Sequence, residues 1–304
     1  MKELARRFMK TDWVQNKIKE PVIREILEEW TIDSLRRTLK PEGKQRFDEF
    51  FNDIRAGKRV ALSDYIEMFL GYDFKSEIKG VENLEYLYDQ PILVVANHTN
   101  MGPMRGEWQH ATISYYVKQA TGKEIRWLHG HDPTTTQDLL REKMHKSINS
   151  IPVRDPDPFR LARYLIPAIK NEDSMGLFPE GDGSKYLRKG LPEAGRLIAL
   201  FSRKDINIIS CSSMYQDETF FLTFDSLDKE KIKILQCNDT ERDRVGEAIV
   251  DYAMAKTAKH LPSNRRGSYK KTLKKLFLNL KAQKFSSFDA EVLLLSRKNL
   301  LIQS

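Results

Sequence analysis

Two short apolar runs, Ile92–Ala96 and residues 175–178, stop abruptly at polar residues, the first at Asn97-His98-Thr99 and the second at Pro179-Glu180-Gly181. Runs this short, bounded by such breaks, read as strands buried on both faces. Similar runs at 125–128, 151–153 and 206–210 alternate with helical spacing at 104–120, 136–146, 158–170 and 190–202. That alternation predicts an α/β sandwich around a central sheet, which hairpin-like strands at 220–224 and 232–236 make mixed. Loops leaving the strands of such sheets gather reactive groups, so the pattern brings an imidazole, His98, and a carboxylate, Glu180, toward one edge.

Ahead of this region the period changes. Apolar stripes at helical spacing begin with Leu4, Phe8 and Met9, followed by Val22, Ile23, Ile26, Leu27 and Trp30, then by Phe47, Phe50, Phe51 and Ile54, and last by Tyr65, Ile66, Phe69 and Leu70. Short polar breaks separate them, which predicts an N-terminal helical bundle over 1–77. Residues 78–304 then form the α/β domain, closed by helices near 241–260, 268–282 and 287–302.

Two cysteines, Cys211 and Cys237, argue for a reducing compartment, and both fall in expected strands, where inert buried thiols belong. No Cys/His cluster has metal-ligand spacing, so neither metal nor cofactor is expected. No window reaches the ~20 apolar residues of a membrane span, and the first residues lack the apolar core of a signal peptide. The expected location is cytoplasmic, with peripheral attachment to the inner face of a membrane as an extension.

The charge is uneven. Residues 261–284 hold eight basic residues and no acidic one, which equals the net charge of +8 for the whole chain and leaves the remainder neutral. Tyr269, Leu273, Leu276, Phe277 and Leu280 fall on one face of that stretch, giving a basic amphipathic helix suited to an anionic membrane. An acidic acyl carrier protein would feel the same field. Nucleic acid is disfavoured as a partner, because no recognised nucleic-acid module accompanies the charge.

The introducing segment Val81-Glu82-Asn83-Leu84 with Pro91 before the strand, the Asn97-His98 pair and Phe178-Pro179-Glu180-Gly181 together resemble the glycerolipid acyltransferase superfamily over roughly residues 78–225. Its members acylate glycerol phosphate, lysophospholipids and related alcohols. The resemblance implies transfer of a fatty acyl group from a thioester of coenzyme A or acyl carrier protein to a hydroxyl or amine of a lipid-like acceptor. His98 would be the general base, a task that suits an imidazole near neutral pH. Asn97 would support the loop, and Glu180, with Gly181, Ser184, Lys185 and Arg188 after it, would face the acceptor. Ser150-Ile151-Pro152-Val153-Arg154 resembles the family's strand that ends in an arginine holding the acceptor's polar head, here Arg154, whose planar fork suits an oxyanion.

The family places an Asp after the His with four residues between them, to orient the imidazole; here that place holds Pro103. Two acids are candidates for the missing carboxylate: Glu107, one turn into the expected helix, and Asp132 in His131-Asp132-Pro133. Asp182 and Gly183 stand where phosphate-binding members carry Thr and Arg. Two functions follow: an acyltransferase with an unusual partner for its histidine, or a catalytically impaired acyltransferase-fold protein that binds lipid or membrane.

Overall fold

The computed structural model describes residues 20–70, 75–102, 108–130, 143–153, 158–237 and 242–274. The protein is an α/β fold with a seven-stranded mixed sheet in the order β1-β7-β6-β2-β5-β3-β4. The strands are β1 (Lys75–Lys79), β2 (Ile92–Ala96), β3 (Ile125–His129), β4 (Ile151–Pro152), β5 (Ser174–Leu177), β6 (Asn207–Gln216) and β7 (Thr219–Ser226). β2 lies at the centre, parallel to β5 on one side and to β6 on the other. Every residue of β2 is buried, as its unbroken apolar run requires of a strand covered on both faces.

Alternate β2 side chains enter different cores. Ile92, Val94 and Ala96 pack with Phe47, Phe50 and Phe51 of α2 (Pro41–Arg55) and with Trp108 and Ile113 of α5 (Trp108–Thr121). Between those helices come α3 (Ile66–Leu70) and α4 (Glu82–Glu85), and α1 (Pro21–Arg36) precedes them. Leu93 and Val95 join the opposite core, with residues from α6 (Pro158–Lys170), α7 (Pro192–Arg203), α8 (Lys229–Cys237) and α9 (Arg242–Lys259). α1, α2 and α7 each begin on a proline at the first or second helical position, where the missing N–H loses no helical bond.

Several elements differ from the sequence expectation. Residues 232–236 are helical, inside α8, because the Asp228 carboxylate caps the N–H groups of Glu230 at 2.9 Å and Lys231 at 3.3 Å, and Ile232 and Leu235 then face the core one turn apart. Cys237 accordingly ends a helix; Cys211 lies buried in β6, where burial pushes its thiol far above the usual range. β6 runs on to Gln216 and turns into β7 through Asp217 and Glu218, both at positive φ (48° and 59°), the conformation of a two-residue hairpin turn whose twist matches the strands. β1 is an added edge strand.

The stripe Val22, Ile26 and Trp30 faces solvent, each residue more than 60% exposed. α1 packs instead through Glu28, Thr31 and Ile32, with Glu28 meeting Lys143. The helix expected at 136–146 is seen at 143–147 among the described residues, and the helix expected near 268–282 at 270–274, after a tight turn at Gly267–Tyr269. The stripe at Leu4 and the helix expected near 287–302 lie outside the described residues.

In the basic segment, Tyr269 and Leu273 are buried in the second core, so these two apolar residues face the protein, while Lys270, Lys271 and Lys274 are exposed. Leu276, Phe277 and Leu280 lie outside the described residues. No helix among the described residues is long and apolar enough to cross a membrane.

α7 and α9 approach through glycines. A Cβ on Gly195 would lie 1.8 Å from the Gly246 carbonyl oxygen. Replacing Gly195 by Ala therefore sets a helix-propensity gain of about 1 kcal/mol against an overpacking cost of about 1–3 kcal/mol, and the backbone clash puts the cost at its upper end. Gly195→Ala should destabilise the protein by about 1–2 kcal/mol in urea unfolding, whereas a neutral or stabilising result would show that the helices separate without loss.

Candidate active site

The C-terminal ends of β2 and β5, neighbours in the sheet, release the two motif loops side by side. Gly181 makes the second loop's turn: it sits at φ 76°, and its N–H donates to the Phe178 carbonyl at 3.1 Å. The loops then bond to each other. Ser184 N–H donates to His98 O at 3.0 Å, and Asn100 N–H to Ser184 O at 3.4 Å. Glu180 fastens them from below, accepting the His98 N–H on Oε2 at 2.5 Å and the Arg188 N–H on Oε1 at 2.7 Å. Burial drives the Glu180 carboxyl up to about 7, against the lowering effect of those two N–H groups and of the Arg188 charge.

The His98 ring is held on two sides. Its face stacks on Phe178, centroids 4.5 Å apart, and Phe178 stacks in turn on Trp127 at 4.8 Å and 8°. Gly176 admits that column, since a Cβ there would lie 2.8 Å from the Trp127 ring. His110 meets His98, Phe178 and Trp127 edge-on. At the ring's edge, Nδ1 lies 3.0 Å from Oε1 of Gln109, a wholly buried residue of α5.

Gln109 has every polar valence engaged. Oε1 also accepts the Thr99 N–H at 2.8 Å, while Nε2 donates to Asn97 O at 2.9 Å and to Ser213 Oγ. A flipped amide would set an NH₂ against the Thr99 N–H and a carbonyl against Asn97 O. Each buried group left unpaired costs about 1–3 kcal/mol, so the orientation is fixed by at least about 2 kcal/mol.

The expected site residues take distinct places. Asn97 is buried, and its amide pairs with the Ser213 backbone, donating to the carbonyl at 3.0 Å and accepting the N–H at 2.7 Å. It thereby carries the β2–β6 pairing one residue past the strand. Ser184 and Lys185 border a crevice beside His98; Arg188 is exposed, its N–H on Glu180. Glu107, Asp132 and Arg154 lie outside the described residues. Gln109 and Ser213 were not foreseen. The one signal for Gln109 in the sequence is a long polar side chain beside Trp108, in a helix whose apolar residues leave no clear solvent face.

His98 stands between two cavities and is the only described residue common to both. One is an open cleft of about 720 Å³, apolar along Leu128, Val153, Leu161, Leu177, Leu197 and Leu200, with His110, His129 and His145 also lining it and Glu193, Arg196 and Arg203 contributing charge. The other is a small crevice of about 20 Å³, lined by Glu180, Ser184, Ser213 and Arg265 as well as by Met101, Leu187, Met214 and Leu261, room for a water or a hydroxyl. The basic segment reaches this crevice directly: Leu187 N–H donates to Arg265 O at 2.9 Å, and Ser268 N–H to Leu187 O at 3.1 Å. No group of three or more metal-ligating side chains is found among the described residues.

No protein-family model matches the chain, and no curated protein matches it.

Because the Glu180 carboxyl is raised in the folded protein, its contribution to stability is fully present below its unfolded value near 4.5 and is lost as pH rises through about 7. Glu180→Gln cannot titrate there, so the stability difference between parent and variant isolates this group. The parent's advantage should shrink by roughly 3 kcal/mol between pH 4.5 and pH 8, read from urea unfolding at both; a pH-independent difference would place the carboxyl in the ordinary range.

Proposed function

We propose that the protein transfers a fatty acyl group from a thioester to the hydroxyl or amine of a lipid-like acceptor, with His98 as general base. The observation that carries this reading is the position of His98 between a large cleft with a run of apolar side chains and a hydroxyl-sized crevice. A cleft of this size and lining suits an extended hydrocarbon chain. The crevice, with Lys185 and Arg265 at its border, suits the polar end of an acceptor. The same reading assigns the fold to the acyltransferase type of α/β sandwich, with an N-terminal helical bundle, and the likeness of the Asn97-His98 and Phe178-Pro179-Glu180-Gly181 motifs to that superfamily supports it.

In the reaction the acceptor hydroxyl attacks the thioester carbonyl carbon as His98 takes its proton. The C–O bond forms, the C–S bond breaks, and the thiolate recovers the proton from the imidazolium. No covalent enzyme intermediate is needed. The donor is a thioester of coenzyme A or acyl carrier protein, and the basic residues of 261–284 would attract the anionic partner that brings it or the anionic surface that holds the acceptor. A second reading, lipid binding without catalysis, draws on one observation: the partner of His98 Nδ1 is an amide and supplies no negative charge for an imidazolium.

Thiol release from long-chain acyl-CoA and acyl–acyl carrier protein, with lysophospholipid, glycerol phosphate and long-chain alcohol acceptors, separates the two. Turnover that falls by at least about 10² in folded His98→Ala is the expected result, the usual scale for a positioned base. Vesicle binding with no turnover on any pair would favour the second reading, and turnover undiminished in His98→Ala would remove His98 as the base.

A further inference from the structure

The partner of the His98 ring is an amide, and an amide beside a catalytic imidazole can act in two opposite ways. Turned with its NH₂ to the ring, it forces the proton onto the wrong nitrogen; in the serine-protease triad an amide in place of the carboxylate costs about 10⁴ in rate for this reason. Turned with its oxygen to the ring, it accepts from Nδ1–H and leaves Nε2 as the basic site. Which of the two obtains here is decided by atoms that have no choice of role.

The Thr99 main-chain N–H is a donor, and it points at the same Gln109 atom as His98 Nδ1, 2.8 Å and 3.0 Å away. The Asn97 main-chain carbonyl is an acceptor, and it lies 2.9 Å from the other terminus of the amide. The atom facing His98 is therefore oxygen, and Nδ1, within bonding distance of it, carries the hydrogen. A neutral imidazole holds one such hydrogen, so Nε2 carries the lone pair. Nε2 lies close to Gly183, where a side chain's Cβ would be 3.4 Å away. When Nε2 takes up a proton, Nδ1 remains a donor, so the same bond holds the ring before and after transfer.

We propose that Gln109 is the positioning residue of this site, standing in for a carboxylate by orienting His98 and fixing its tautomer. It supplies no countercharge. Part of that lack is met by the Phe178 ring stacked on the imidazole, whose π face favours a cation. The proposal rests on the reading of His98 as the general base, but its first test does not depend on turnover.

That test is the imidazole ¹⁵N spectrum of the full-length protein labelled at its six histidines, with the His98 signals assigned by their loss in His98→Gln. For the neutral ring, the expected pattern is a protonated Nδ1 and an unprotonated Nε2. Gln109→Met, similar in volume but without the amide, should lose the Nδ1–H preference. It should also lower kcat by about 10² with KM changed far less, since the group acts through the base and not on the acceptor. Gln109→Glu, which as a neutral acid keeps an accepting oxygen toward the ring and donates its O–H to Asn97 O, should retain the Nδ1–H form and recover turnover relative to Gln109→Met. Parent protein with the His98 proton on Nε2, or a Gln109→Met variant that keeps both the tautomer and kcat, would overturn the proposal. A parent with the Nδ1–H form, lost in Gln109→Met, but without thioester turnover would instead refute acyl transfer and leave the hold of Gln109 on His98 standing.

Discussion

Both oxygens of a buried carboxylate, Glu180, accept main-chain N–H groups, and the geometry of the site depends on that arrangement. One N–H belongs to His98, on the loop after β2; the other belongs to Arg188, farther along the loop after β5. Two segments that the sequence separates by some eighty residues are thereby held at a single spacing. The charge that makes these bonds strong is also the charge that burial opposes, so the clamp sits near its own neutralisation.

Above the clamp, rigidity comes from shape. Trp127 is buried and anchored by its Nε1–H on Ser114, Phe178 lies flat on it, and His98 lies flat on Phe178. The ring plane of the histidine is thus set by a column rooted in the core between the sheet and α5. Gln109 then sets the rotation of the ring within that plane. Protein interiors are close-packed, so a side chain fixed by packing on one face and by a hydrogen bond at its edge has little room to turn.

Much of this was legible in the chain. Ile92–Ala96 and residues 175–178 announced themselves because central parallel strands are apolar on both faces and end sharply. The juxtaposition of His98 with Glu180 follows from their places at strand ends. β1 was not legible, since Lys75, Glu77 and Lys79 alternate on an edge where one side meets water. The segment 232–236 looked like a strand because Ile232, Lys233 and Ile234 alternate, whereas the Asp228 cap starts a helix there. Val22, Ile26 and Trp30 form an apolar stripe that in fact faces solvent, a case in which periodicity locates a helix without saying which face packs. The role of Gln109 had only a faint signature, a long polar side chain in a helix without a clear solvent face: it arises from Thr99, Asn97 and Ser213, which are brought to one amide from the loop after β2 and from β6.

The position of His98 between two separate cavities has a kinetic meaning. On the acyl-transfer reading, the chain of the donor and the polar end of the acceptor reach the imidazole from different sides, and neither occupies the other's path. Both substrates can therefore reside on the protein at once, and the acyl group passes directly between them. The mechanism is then a sequential one through a ternary complex, in which saturation by one substrate leaves the other's approach open, and not a relay in which the first product must depart before the second substrate arrives.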